Sequence, residues 1–94
     1  MDLLALADFN AVALHSGFGP AARETGRPKA TLSRRVAELE QQLGGRLVER
    51  GSHRLHLTED GRALYERTRG PLVDIDEAGE AIASRGPRRA DGCG

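Results

Sequence analysis

The stretch that decides the fold is "GRPKATLSRRVAELEQQLGGRLVER", residues 26–50. On a wheel of about 100° per residue, Val36, Leu39 and Leu43 fall within about 40° of Leu32. Arg34 and Gln41 lie nearly opposite, with Ala30 and Ala37 beside them and Ser33 on the flank. Gly44 and Gly45 stop the pattern, so a helix is expected over residues 28–43. A helix that only had to pack would need the leucines and could carry any polar residues elsewhere. This one sets small residues around a few long polar ones.

Upstream, residues 2–15 place Leu3, Leu6, Ala7, Phe9, Ala13 and Leu14 on one broad helical face. "SGFGP" breaks the pattern, and Gly19 before Pro20 suits a short helix over residues 20–25 that would bury Ala21 and Ala22 at a close helix crossing. Gly26 supplies the next turn. Downstream of Gly45, "RLVER" and "HRLHLT" are short β-leaning runs around Gly51 and Ser52, a turn pair suited to a hairpin. Leu55 and Leu57 would point one way, Arg54 and His56 the other.

Thr58 is placed to cap a last helix whose first turn carries Glu59 and Asp60, charges that complement the helix dipole. Within it Tyr65, Thr68, Leu72, Ile75, Gly79 and Ile82 are spaced alternately three and four apart, a coiled-coil seam. Gly70 and Pro71 interrupt the seam, and a kink is expected at residues 67–71. "RGPRRADGCG" has no apolar period and reads as a disordered end. The fold expected is mainly α: a winged helix-turn-helix of three helices and a short hairpin wing over residues 1–58. A long linker or dimerisation helix over 59–84 and a tail over 85–94 complete it.

Composition narrows the class. With 38% hydrophobic and 30% charged residues, the chain is too apolar for a disordered protein and too charged for a membrane one. No apolar run approaches the roughly 18 residues of a spanning helix, and Asp2 stands where a secretory signal would be basic. The lone Cys93 excludes an internal disulfide framework and fits a reducing compartment, so a cytoplasmic location is expected. The net charge of zero conceals a division. Residues 20–58 hold eight Lys/Arg against four acids, whereas residues 59–84 hold three against seven. Such sorting suggests a polyanion partner for the first region only.

The small-residue face of residues 28–43 meets what entry into a DNA major groove requires. Alanines permit close approach, Arg34 can fork onto guanine O6 and N7, and Ser33 can meet a base or a phosphate. Lys29, at the positive end of the helix, is placed for a phosphate or a guanine.

Over residues 2–84 the chain resembles the N-terminal DNA-binding domain and linker helix of LysR-type transcriptional regulators, on "FGPAARETG", "TLSRRVAELEQQLGGRLVER" and "LTEDG" in order. The resemblance implies that Lys29, Ala30, Thr31, Ser33 and Arg34 face bases and nearby phosphates, and that Arg50 and Arg54 serve the backbone and the wing. It also implies double-stranded DNA as partner, an interrupted inverted repeat as site, and a homodimer through Tyr65, Leu72, Ile75 and Ile82. Pro28, Lys29 and Ala30 stand where that family commonly has Ser, Gln and Pro, so the preferred bases do not transfer from relatives. Val48 replaces a frequent Phe, and His53 and His56 replace frequent arginines, which weakens the salt-dependent part of binding. The family's effector domain has no counterpart in these residues, and binding without a small-molecule effector or cofactor is expected.

Other chemistry fits less well. The candidate nucleophiles are Ser16, Ser33, Ser52, Ser84 and Cys93, and the candidate bases His15, His53 and His56. Cys93 sits in the expected floppy tail, which can hold no preorganised base, and the acids crowd the last helix rather than pair, so no enzyme is expected. His53 and His56 would lie on opposite faces of a strand and lack further ligands, so no metal site is expected. Wing histidines near a phosphate would strengthen DNA binding at mildly acidic pH. The remaining alternative is a helical dimerisation or protein-interaction module with weak or non-specific DNA binding.

Overall fold

The computed structural model describes residues 1–50 and 55–85, with the backbone alone at 50, 84 and 85. The architecture is mainly α, with α1 at Leu3–His15, α2 at Phe18–Thr25, α3 at Lys29–Leu43 and α4 at Glu59–Arg85. Between α3 and α4, β1 (Val48–Arg50) pairs antiparallel with β2 (Leu55–Leu57), in the register Val48 with Leu57, Glu49 with His56 and Arg50 with Leu55. The expected turn at Gly51 and Ser52, Arg54 and the tail from residue 86 lie outside the described residues.

The core is where α1, α2 and α3 cross. Phe9, Val12, Ala21, Leu32, Val36 and Leu39 are fully buried, joined by Leu47 and Val48 at the start of the wing. Val48, the smaller plug, is itself 1% exposed, so the wing seats on it without a phenylalanine. Leu55 and Leu57 pack inward and His56 points out, as the alternation requires.

Three expectations need correction. The buried face of α1 is Ala5, Leu6, Asp8, Phe9 and Val12; Leu3, Ala7 and Leu14 are exposed on the opposite side. α1 is apolar around most of its circumference, so its period alone could not choose the face. α2 begins at Phe18 rather than Pro20, because Gly17 precedes it and Phe18 is drawn into the core. Pro20 is tolerated in the first turn, where no N–H is required of it. Leu43 lies on the α3 stripe but, as the last residue of the helix, is 47% exposed.

α4 stays helical through Pro71 from Glu59 to Arg85. It is capped as expected: the Thr58 hydroxyl accepts the Gly61 N–H (2.9 Å) and donates to the Arg46 carbonyl (2.6 Å). Its direction is fixed on α1 by Asn10, whose side-chain amide donates to the Thr68 hydroxyl (3.0 Å) and to the Leu6 carbonyl (3.1 Å). At 27 residues α4 spans about 40 Å at 1.5 Å per residue, and it stretches the molecule to 52 × 24 × 19 Å.

Candidate nucleic-acid interface

The turn into α3 is built from its own polar atoms. Gly26 takes φ +73°, and its N–H donates to the Ala22 carbonyl (2.9 Å). The Thr25 hydroxyl donates to the Ala21 carbonyl (2.8 Å) and accepts the Arg27 N–H (3.2 Å). Pro28 follows as an extended N-cap that makes no side-chain bond, so α3 starts without a capping hydroxyl.

With Leu32, Val36 and Leu39 turned inward, α3 presents Lys29, Ala30, Arg34, Ala37 and Gln41 to solvent, while Thr31 and Ser33 are half-buried on its flanks. Arg34 is not solitary. Its Nη1 donates to Glu38 Oε2 at 3.2 Å, one turn on, with both side chains more than half exposed. An exposed pair at this spacing contributes about 0.3–0.5 kcal/mol, little enough for a base edge to outcompete.

Sequence reasoning missed Asp8. It is the buried charged side chain among the described residues, 1% exposed, and it faces two arginines of the basic region. Arg35 Nη1 donates to Asp8 Oδ2 at 2.8 Å. Arg27 Nη1 stands 3.4 Å from Asp8 Oδ1 without hydrogen-bond geometry, so Oδ1 has an ionic neighbour but no hydrogen bond. Of the cations counted toward the basic surplus, Arg35 is thus turned inward, and Arg27 leans toward the same carboxylate with its side chain still 37% exposed. A lone acid in an otherwise apolar helix gave no signal of this.

The wing is tied to α3 by Glu40, whose Oε2 accepts the N–H groups of Leu47 (2.8 Å) and Val48 (3.1 Å). Arg50 pairs through its backbone with Leu55; its side chain and Arg54 lie outside the described residues. Of the wing's outward face, Glu49 and His56 are opposite each other and exposed.

The expected self-association seam divides in two. Tyr65 and Leu72 are half-buried against the core, and Arg69 stacks over the Tyr65 ring at 5.8 Å. Val73, Ile75 and Ile82 remain more than half exposed. Leu3, Leu4 and Leu14 on the outer face of α1 are equally exposed and line an open groove with Val73 and Ile75. No described helix is long and apolar enough to cross a membrane.

Three crossing helices, a two-stranded wing and a polar outward α3 define a winged helix-turn-helix protein. The chain belongs to the lysR family of bacterial regulatory helix-turn-helix proteins, whose description matches residues 3–62. It is 43% identical over 75 residues to an HTH-type transcriptional repressor of Pseudomonas aeruginosa, covering 80% of this chain and 24% of that one. It is 42% identical over 81 residues to a probable hydrogen peroxide-inducible genes activator of Mycobacterium xenopi, covering 86% and 43%. The chain therefore spans less than half the length of either relative. Among solved structures it is similar to the full-length Vibrio cholerae virulence activator AphB, with a TM-score of 0.83 at 32% identity over 87% of this chain and 28% of that one. It is also similar to the BenM DNA-binding domain solved on the catB site 1 DNA, with a TM-score of 0.81 at 30% identity over 93% and 97%.

Proposed function

We propose that this chain binds double-stranded DNA with sequence preference to regulate transcription in the cytoplasm, as a homodimer and without catalysing a reaction. One observation carries the reading: α3 buries Leu32, Val36 and Leu39 completely and turns an alanine-lined face bearing Lys29 and Arg34 outward, with Ser33 on its flank. The likeness to a BenM domain solved on DNA supports it. In this reading Lys29, Ala30, Thr31, Ser33 and Arg34 meet bases and phosphates in the major groove, and Arg50 and Arg54 hold the flanking backbone. Two copies pair along α4 through Ile75 and Ile82, joined by the outer face of α1. Tyr65 and Leu72 support the seam from its half-buried side. Two-fold pairing makes the site an interrupted inverted repeat. No small molecule is needed for binding; a metabolite that shifts the affinity of this chain would contradict that.

Arg34→Ala tests the reading helix. A base-reading arginine costs about 1–3 kcal/mol on the preferred duplex and much less on random duplex. Equal losses on both make Arg34 a phosphate contact. No loss on either favours the interaction module, to which the exposed apolar groove of α1 and α4 also lends itself.

A further inference from the structure

We infer that Asp8 is the positioning residue that fixes the reading face of α3, a role that rests on the DNA-binding reading above. One buried carboxylate on α1 holds Arg27, just before residues 29–34, and Arg35, just after them. Those six positions contain every α3 residue assigned to DNA.

Packing does not require this arrangement. Burying a carboxylate is strongly unfavourable unless it is paired, and well-packed apolar replacements of buried ion pairs are often as stable or more so. Phe9 and Val12 of α1 and Leu32 and Val36 of α3 already bury the surrounding surface. Apolar contact is non-directional, however, and leaves a helix free to turn or slide by fractions of an ångström. A charged hydrogen bond of 2.8 Å from Arg35 removes that freedom at the far end of the reading segment, and the ionic contact of Arg27, 3.4 Å from the other oxygen, draws the near end toward the same carboxylate. Base readout needs such fixity, because hydrogen bonds weaken steeply as distance and angle depart from optimal. Arg35 is thereby used inside the domain and withdrawn from phosphate contact, and Arg27 is drawn toward Asp8. Arg34, paired only with exposed Glu38, stays available.

The test titrates the full chain, unaltered and as Asp8→Asn, onto two duplexes across a range of salt. One duplex is enriched from a random-sequence pool by the unaltered chain; the other is a scramble of the same composition. Asp8→Asn, shown to be folded by circular dichroism, is expected to lose roughly 5- to 100-fold in preference for the enriched duplex, the worth of one misplaced base contact. Its affinity for the scramble does not fall and its salt slope does not decrease, since any arginine freed from Asp8 can only add phosphate contacts. Arg27→Gln leaves Asp8 paired with Arg35, gives a smaller loss of the same kind, and decides the matter if Asp8→Asn does not fold. An unchanged preference in the folded variants overturns the positioning role. So does a loss equal on both duplexes, or a salt slope reduced by about 0.9 in Arg27→Gln, which would make Arg27 a phosphate contact. Failure of the underlying reading looks different: the unaltered chain then enriches no duplex, and the proposal falls with it.

Discussion

Gly61 lies against the carbonyl of Leu47 so closely that an added Cβ would overlap the oxygen and stand 2.8 Å from the carbon. The same carbonyl accepts the Thr58 N–H at 3.0 Å. The first turn of α4 and the entry to the wing are thus locked together by backbone, and only glycine fits between them. Gly61→Ala is expected to destabilise the chain by about 3 kcal/mol, the upper end of the overpacking range. Denaturant unfolding measures this, and a change under about 1 kcal/mol would contradict the close approach.

Glu40 makes the matching connection from α3. Glu40→Ala leaves the N–H groups of Leu47 and Val48, both at buried residues, without their acceptor. A loss of about 1–3 kcal/mol is expected, with Glu40→Gln retaining part of it because the amide oxygen still accepts. Equal stability of the alanine and parent chains would show that water replaces the carboxylate at no cost.

Ile75 separates folding from association. It is 54% exposed in the single chain, so Ile75→Asp should leave unfolding nearly unchanged. In the proposed pair it would place a charge in the apolar seam. Sedimentation should then show a monomer, and it should bind the inverted repeat little more tightly than a single half-site; an unchanged oligomeric state would remove α4 from the interface.

Lys29 supplies a fixed cation at the exposed start of α3. Lys29→Ala should reduce the slope of log affinity against log salt by about 0.9, the signature of one lost phosphate contact. An unchanged slope combined with altered base preference would assign Lys29 to a guanine instead.

α3 could be read from the sequence because Leu32, Val36 and Leu39 all face one core and Gly44 and Gly45 end the pattern. The alternation of Leu55, His56 and Leu57 and the Thr58 cap were equally visible, since a period of two and a hydroxyl before two acids are local signals; the strand register was not. The face of α1 was not, because Leu3, Leu4 and Leu14 are as apolar as Leu6 and Phe9 while lying on the other side. Which side is buried depends on where α2 and α3 cross. Asp8 was hidden for a related reason: its partners Arg27 and Arg35 are far along the chain and look like two more members of a basic surface. Gly61 stood in a recognised motif, yet the contact that requires it is visible only once Leu47 is placed beside it.

Selection of bound duplexes from a random-sequence pool by the full chain, at fixed near-physiological salt and followed by sequencing, tests the central claim most directly. The account predicts enrichment of one sequence arranged as an interrupted inverted repeat, the mark of two α3 helices held apart by paired α4 helices. Binding with no enriched sequence, or no binding at all, would contradict it.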